Sequence, residues 1–370
     1  MRTALESYDP AAIVRQFDVA GSFLDARSIK SGHIHDTLCV RMQQPGGIVR
    51  YIVQRVNHHV FTRPAAVMEN IARVTAHLRK KAATQPHAAF DRILTIIPSR
   101  TNGLCWQDAE ENWWRMYEYV ENAYTLDAAP SVAQAHEAAA AFGRFQAALL
   151  DLPAPRLHDT IPDFHHTARR YLALQKALDA DVHNRAAQCR PELAFAAQRE
   201  PMTHVLLDMA MRGEIPERVT HNDTKINNIM FDQRSGRGVC VIDLDTVMPG
   251  LSLYDFGDCV RTTATTAAED ERDLSKVHME PALFQALVQG YLSTARSLLN
   301  EGEVALLGFA GRLISFEIGI RFLTDYLNGD VYFKTSRPQH NLERARAQFA
   351  LVASMEAQEA AMTAIIRNAT

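Results

Sequence analysis

The stretch Val219–Asp258, VTHNDTKINNIMFDQRSGRGVCVIDLDTVMPGLSLYDFGD, decides how the rest of the chain is read. His221-Asn222-Asp223-Thr224-Lys225-Ile226-Asn227-Asn228 has the spacing H-x-D-x-x-x-x-N with Lys225 two places after Asp223, which is the spacing of a phosphotransferase catalytic loop. Ile229-Met230-Phe231 follows, then turn formers from Asp232 to Gly238, then the apolar run Val239-Cys240-Val241-Ile242 ending at Asp243. Two apolar arms about a turn predict a β-hairpin. Asn228 and Asp243 are equally distant from the turn centre between Ser235 and Gly236, so antiparallel pairing is expected to bring both to the open end, beside Asp223.

These residue types suit one chemistry. A hard divalent ion such as Mg²⁺ takes carboxylate and carbonyl oxygens and completes its shell with phosphates and water. Asn228 and Asp243 are the expected ligands, with Asp245 as the alternative. Asp223 is expected to orient a substrate hydroxyl and accept its proton. Lys225 is expected to offset charge on the transferring phosphoryl group. Singly, an H-x-D or D-x-D pair is as readily a turn cap. In order, and joined by a hairpin of matching arms, the pieces read together as a site.

At this level of detail HNDTKINN and VIDLDTVMPG resemble the aminoglycoside phosphotransferase and choline kinase superfamily. More narrowly, HNDTKINN, IDLDTVMPG, YDFGD and IRFLTDYLNGDVYF resemble the bacterial N-acetylhexosamine 1-kinase group, and the likeness runs from GHIHDT near the start to the last long helix. The resemblance implies an α+β, protein-kinase-like two-lobe fold, with an antiparallel-sheet N-lobe over residues 1–120 and a mainly helical C-lobe over 121–370. It also implies ATP and Mg²⁺ as cofactors, and transfer to the anomeric hydroxyl of a hexose. Other small alcohols, of the aminoglycoside, choline or homoserine type, are the alternative acceptors. A pseudokinase that binds nucleotide or sugar without turnover is the alternative outside catalysis.

Composition bounds these readings. At 370 residues the chain exceeds one ordinary core, and 47% hydrophobic with 22% charged residues is an ordinary globular balance. A formal charge of -4 offers no electrostatic footprint for nucleic acid. The cysteines Cys39, Cys105, Cys189, Cys240 and Cys259 are odd in number and never spaced C-x-x-C, which argues against a disulfide framework or a zinc site. No signal-type segment or long uncharged apolar run is present, so a cytoplasmic enzyme away from membranes is expected.

In chain order, Asp9–Phe17 predicts a short capped helix, and Ala26–Ile29, Thr37–Met42 and Ile48–Val56 predict an antiparallel meander. The turn Ser31-Gly32-His33-Ile34-His35-Asp36-Thr37 occupies the place of a kinase glycine-rich loop, with Ser31, Gly32 and Thr37 as phosphate contacts, or it is a plain hairpin turn. The resemblance adds His33 and Asp36 as sugar contacts. Gln54 has the register of the strand lysine of kinases and Arg55 has the charge, and only one of these neighbours can face inward. Val67–Lys80 predicts a helix bearing Glu69, either the partner of the strand's basic residue or a solvated charge. Ile93–Ile97 and Trp113–Val120 would complete a five-stranded sheet. The connector Met116–Tyr119 offers Tyr117 and Tyr119 to the nucleotide base, unless these rings simply fill core.

Beyond that boundary the reading is helical. Helices are expected from Ser131 to Leu150, up to about Leu178, and over Pro191–Met211, Glu303–Asn328 and Asn341–Arg367. The resemblance implies that Asp255 accepts backbone hydrogen bonds from the catalytic loop, a structural role. The helix near the end carries Arg312, Glu317, Arg321 and Asp325 on an apolar run, where unpaired charge is costly. The resemblance makes Arg321, Asp325 and Tyr332 acceptor contacts, whereas spacing alone allows Arg321 to pair with Glu317 one turn earlier.

Overall fold

The computed structural model describes residues 8–29, 34–84 and 90–370. Ser31, Gly32 and His33 lie outside the described residues.

The N-terminal region is an antiparallel sheet. Helix α1 (Pro10–Val14) starts at Asp9, whose Oδ1 accepts from the Ala11 and Ala12 amides at 2.9 and 3.1 Å. Then come β1 (Ser22–Ile29), β2 (Asp36–Gln44), β3 (Gly47–Val56), helix α2 (Pro64–Thr84), β4 (Ile96–Ile97), β5 (Trp106–Gln107) and β6 (Trp113–Glu118). The order across the sheet is β1-β2-β3-β6-β4, with β5 also on β6. The sheet has six strands rather than the expected five, because the two residues of β5 are too few to show an alternating pattern. One face packs under α1 through Val14, Phe17, Leu38, Val40, Trp114 and Met116. The other face turns toward α2 and the helical half, where it roofs a large cleft.

The C-terminal region contains β7 (Ala123–Tyr124), α3 (Val132–Leu149), α4 (Thr167–Ala180), α5 (Arg190–Gln198) and α6 (Val205–Met211). Next are β8 (Glu217–Thr220), β9 (Ile229–Asp232), β10 (Gly238–Val241), β11 (Met248–Leu251) and α7 (Ser252–Thr263). It closes with α8 (Pro281–Ala295), α9 (Glu301–Ala305), α10 (Leu307–Leu327), α11 (His340–Ala357) and α12 (Glu359–Ala369). Three segments expected as single helices are each broken. Pro201, which has no N–H to donate, falls in a 3₁₀ turn between α5 and α6. Asn300 and Glu303 cap α9 reciprocally, at 2.9 Å in each direction, and α10 then starts as a separate helix. Helices α11 and α12 meet at 69°. An apolar stripe continues across such a bend as readily as along a straight helix, so periodicity did not reveal the breaks. No single helix among the described residues is long and apolar enough to cross a membrane.

Helices α3 and α8 approach each other closely at one point. A Cβ on Gly290 would stand 2.1 Å from the His136 carbonyl oxygen, so only glycine allows this approach. The contact brings Gln146 of α3 to Tyr291 of α8, whose hydroxyl donates to Gln146 Oε1 at 2.6 Å.

Candidate active site

The catalytic loop is pinned from several sides. Strands β8 and β11 pair so that Thr220 lies opposite Met248, and the loop leaves β8 at His221. Buried Asp255 at the start of α7 accepts from the backbone amides of His221 and Asn222 at 2.9 and 2.7 Å. Gln146 Nε2 donates to the same carboxylate at 2.6 Å, which links the α3–α8 contact to the loop. Asp255 therefore has the structural role expected of it. Asn222 takes a left-handed φ of 64°, and its side chain reaches the Thr246 carbonyl at 2.9 Å. A Cβ on Gly250 would come within 2.5 Å of Thr220 Oγ1 and 2.8 Å of Asn222 Oδ1, so glycine keeps this corner open. His221 Nε2 bonds the Ile242 carbonyl at 3.0 Å and fastens the loop to the hairpin.

The hairpin of β9 and β10 carries a bulge between Gly238 and Cys240. Next to the turn Gly238 pairs with Phe231, two residues from the symmetrical expectation, and the bulge takes back one of them, so that Ile242, not Asp243, pairs with Asn228, at 2.9 Å from the Ile242 amide to the Asn228 carbonyl. Asp243 compensates by adopting a left-handed φ of 58° at the open end. Asn228 Nδ2 donates to the Asp223 carbonyl at 2.8 Å and to Asp223 Oδ2 at 3.1 Å. Lys225 Nζ lies 2.9 Å from Asp223 Oδ1. Burial works against charge on Asp223, but the adjacent ammonium of Lys225 holds its carboxyl below the ordinary range. Asp243 has no hydrogen-bond or ion-pair partner among the described residues and opens to the cleft. Its enclosure by protein, then the negative charges of Asp245 and Asp223, push it up to about 7. The donor set fits a hard divalent cation: an unpartnered carboxylate, and the Asn228 amide oxygen left over once its nitrogen is spent on Asp223.

Asp245 differs although it stands two residues away. Arg115 of β6 grips both its oxygens, Nη1 to Oδ1 at 2.5 Å and Nη2 to Oδ2 at 2.7 Å, and both side chains are 2% exposed. Against the cost of burial, Arg115 and then His35 hold this carboxyl far below the ordinary range. With both oxygens committed, Asp245 is not the spare metal ligand that its spacing suggests.

Arg115 also answers the strand-lysine question. Gln54 faces the cleft, accepts from Arg115 Nε at 3.0 Å and donates to Thr37 Oγ1 at 3.0 Å. Arg55 faces the other side of the sheet, 2.7 Å from Asp36 and 5.5 Å from the Tyr8 ring centroid. Arg55 and Asp36 therefore are not nucleotide and sugar contacts, because strand neighbours alternate in direction. Glu69 is not one either: it lies on an exposed flank of α2, 2.9 Å from His158. The buried cation of this wall is Arg115, which reads in sequence as one basic residue amid apolar strand.

The roof and floor enclose a cleft of about 860 Å³ lined by Thr37, Gln54, Tyr117, Tyr119, Asp223, Lys225, Asn228 and Asp243 among others. In the connector, the amides of Glu118 and Tyr119 are spent on the Thr95 and Arg50 carbonyls at 3.0 and 3.3 Å. Tyr117, Glu118, Tyr119 and Val120 of the connector all line the cleft.

At its other end the same cleft is lined by Phe164, Arg321, Tyr332, Phe333, Lys334 and Arg344. The Arg321 guanidinium carbon lies 5.3, 5.9 and 5.7 Å from the ring centroids of Phe164, Tyr332 and Phe333. It makes no hydrogen bond or ion pair among the described residues. The anticipated pairing with Glu317 does not form, because His165 Nδ1 at 2.8 Å and Thr167 Oγ1 at 2.6 Å take the two Glu317 oxygens. His165 Nε2 in turn meets the Asn222 carbonyl at 3.0 Å. Both imidazole nitrogens face acceptors, and although burial opposes charge, Glu317 raises the His165 pKa. Asp325 is not an acceptor contact. It is buried and receives the amides of Val331, Tyr332 and Phe333 at 3.0, 2.8 and 2.9 Å, shaping the turn that presents Tyr332 and Phe333. His165, Phe164, Phe333 and Arg115 were not assigned site roles from sequence, because each joins the cleft only through contacts with residues far along the chain.

Among known proteins, residues 25–298 match the phosphotransferase enzyme family. The fold is similar to that of an aminoglycoside phosphotransferase from Alicyclobacillus acidocaldarius, with a TM-score of 0.61 and 13% identity over 98% of this chain and 96% of that one. It is also similar to a microcompartment-associated aminopropanol kinase, with a TM-score of 0.57 and 15% identity over 95% of this chain and 97% of the other. A spectinomycin phosphotransferase in complex with ADP and spectinomycin is similar at a TM-score of 0.54 and 9% identity, over 95% and 97% of the two chains.

Proposed function

The chain belongs to the phosphotransferase enzyme family and is a small-molecule kinase, and on that premise we propose that it uses ATP and Mg²⁺ to phosphorylate the anomeric (C1) hydroxyl of a hexose, specifically an N-acetylhexosamine. Asn228 Oδ1 and Asp243 would hold the metal, which when bound would supply positive charge against the nucleotide phosphates. Asp223, kept ionised by Lys225, accepts a hydrogen bond from the acceptor hydroxyl and fixes its direction of attack. A carboxylate of low pKa is a weak base, so the proton passes to it late, once the bond to phosphorus has made the hydroxyl acidic. Lys225 stays between that carboxylate and the reacting phosphoryl group and limits the build-up of charge there.

The observation that carries the choice of acceptor is Arg321, a guanidinium set among three aromatic rings with no carboxylate of its own. Its donors are available to hydroxyl or acetamido oxygens, and the rings offer an apolar face to a sugar. Lys334 on the same wall adds positive charge, which disfavours choline-like or aminoglycoside acceptors, while Arg344 beside it is offset by Glu269 at 3.9 Å. The test is phosphoryl transfer from ATP in the presence of Mg²⁺ to N-acetylhexosamines, simple hexoses, choline and an aminoglycoside. Phosphorus NMR of the product should show a phosphate coupled to the anomeric proton. ADP formation confined to the cationic alcohols would sink the sugar assignment, and none with any acceptor would leave a binding protein.

A further inference from the structure

One histidine at the phosphate end has no part in the chemistry of phosphoryl transfer proposed above. His35 precedes β2 and lines the cleft, its side chain 6% exposed and its ring stacked on Phe61 at 5.5 Å between centroids. Its Nδ1 faces the backbone N–H of Asn57 at 3.1 Å. A ring nitrogen can receive an N–H only if it carries no proton, so the neutral imidazole must hold its hydrogen on Nε2. That Nε2 is buried and has no hydrogen-bond partner among the described residues. The neighbouring carboxylate oxygen, Asp245 Oδ1, is 3.5 Å away and already receives Arg115.

His35, Asp243 and Asp245 together bring ligand-type atoms within 4.8 Å of one another, which resembles a metal cluster. The Asn57 contact argues otherwise. A protonated Nε2 has no lone pair for a cation, so His35 is a donor beside the acidic pair and not a third ligand.

Among the described residues, the strand position at which protein kinases direct a cation to the nucleotide phosphates carries no free one, and Arg27, the unpaired cation on this side of the cleft, stands on β1, two strands away from β3. Gln54 is neutral, Arg115 has spent its guanidinium on Asp245 and Gln54, and Arg55 is on the far face. We propose that His35 Nε2–H is the donor this wall presents to a phosphate oxygen of the bound nucleotide, in the role a strand lysine fills in protein kinases. The proposal rests on the kinase reading. It implies that at this strand position phosphate recognition is by a neutral hydrogen bond, with the positive charge left to the metal, Lys225 and Arg27.

Calorimetric titration of the full chain with ADP and with adenosine, Mg²⁺ present, tests it. His35→Phe keeps a ring against Phe61 and removes both nitrogens, and His35→Gln returns an amide donor. Loss of one hydrogen bond to an anion should weaken ADP binding roughly tenfold in the Phe variant, leave adenosine unchanged, and be largely restored in the Gln variant. Unchanged ADP affinity in His35→Phe overturns the proposal, and so does an equal loss for ADP and adenosine, which would mark a merely structural ring. If the wild-type chain binds neither ligand, the kinase reading fails and this proposal with it. Nitrogen-15 NMR of the His35 ring in the wild type gives a readout independent of affinity. Nε2 should carry the proton and its resonance should shift with ADP; a proton on Nδ1 instead would overturn the assignment.

Discussion

The two ends of the cleft are built from opposite charges. At the phosphate end stand Asp223, Asp243 and Asp245, and at the acceptor end Arg321, Lys334 and Arg344. Each end contains charges that are tied down and charges that are left free. Asp245 is gripped by buried Arg115, which also holds the Gln54 side chain, and Glu317 by buried His165, which also holds the Asn222 carbonyl of the catalytic loop. Asp243 and Arg321 have no partner of opposite charge among the described residues, and both face the cleft. Partnership separates structure from function here more reliably than residue type does, because a charge already satisfied has little left to offer a ligand.

The most severe way to test that separation is to remove the free carboxylate. Asp243→Ala should abolish phosphoryl transfer, since the developing charge loses the ligand that holds its counterion. Near-normal turnover at saturating Mg²⁺ would mean that the open Asp243 is not the functional member of the pair. Asp223→Asn should lower kcat by about 10²–10⁴ while nucleotide affinity measured by calorimetry stays close to wild type. A variant that instead lost nucleotide would put Asp223 on the metal side of the comparison.

A tied charge should answer in stability. Arg115→Gln strands a buried Asp245, and breaking such a pair costs about 3–5 kcal/mol of folding free energy. Denaturant unfolding measures this, and a loss well below about 1 kcal/mol would show that the pair is dispensable. Arg321→Ala should do the reverse. Losing donors to a bound sugar should lower kcat/KM for the acceptor by an amount equivalent to about 1–3 kcal/mol, with melting temperature and nucleotide binding nearly unchanged. A purely thermal effect would move Arg321 to the structural side.

The smallest expected effect concerns the free carboxylate without its metal. Asp243 is pushed up to about 7 by enclosure and by its acidic neighbours. Its folded pKa lies above its unfolded value, so the folded state binds more protons between them. The stability it contributes is present below the ordinary carboxylate range and is lost as pH rises toward about 7. In chelator, melting temperature should therefore fall across that window, and Asp243→Asn should flatten the slope. Equal slopes for variant and wild type would show that Asp243 is not repelled by its neighbours.

Much of the phosphate end was legible without coordinates, because its groups lie close together in the chain. A loop and a hairpin bring Asp223, Lys225, Asn228 and Asp243 together, and local geometry nearly suffices. The remaining error, one residue of register, came from the turn, which closes between Asp232 and Arg237 and not about Ser235 and Gly236, and from a bulge that undoes only half of that offset; the apolar pattern encodes neither. The acceptor end was legible only through family resemblance, which singled out Arg321 and Tyr332, both of which line the cleft, and misread Asp325. An Asp that receives three backbone amides and an Asp that contacts a ligand look the same along a helix.

By itself, then, the sequence determined which chemical groups exist and which of them meet within one loop and one hairpin, since those meetings depend on spacing and strand alternation alone. Only the tertiary structure decided which charges are partnered. Arg115 reaches Asp245 across 130 residues and His165 reaches Glu317 across 152. Such pairings are set by how the sheet seats on the helices, and side-chain charge carries no record of that distance in the linear chain.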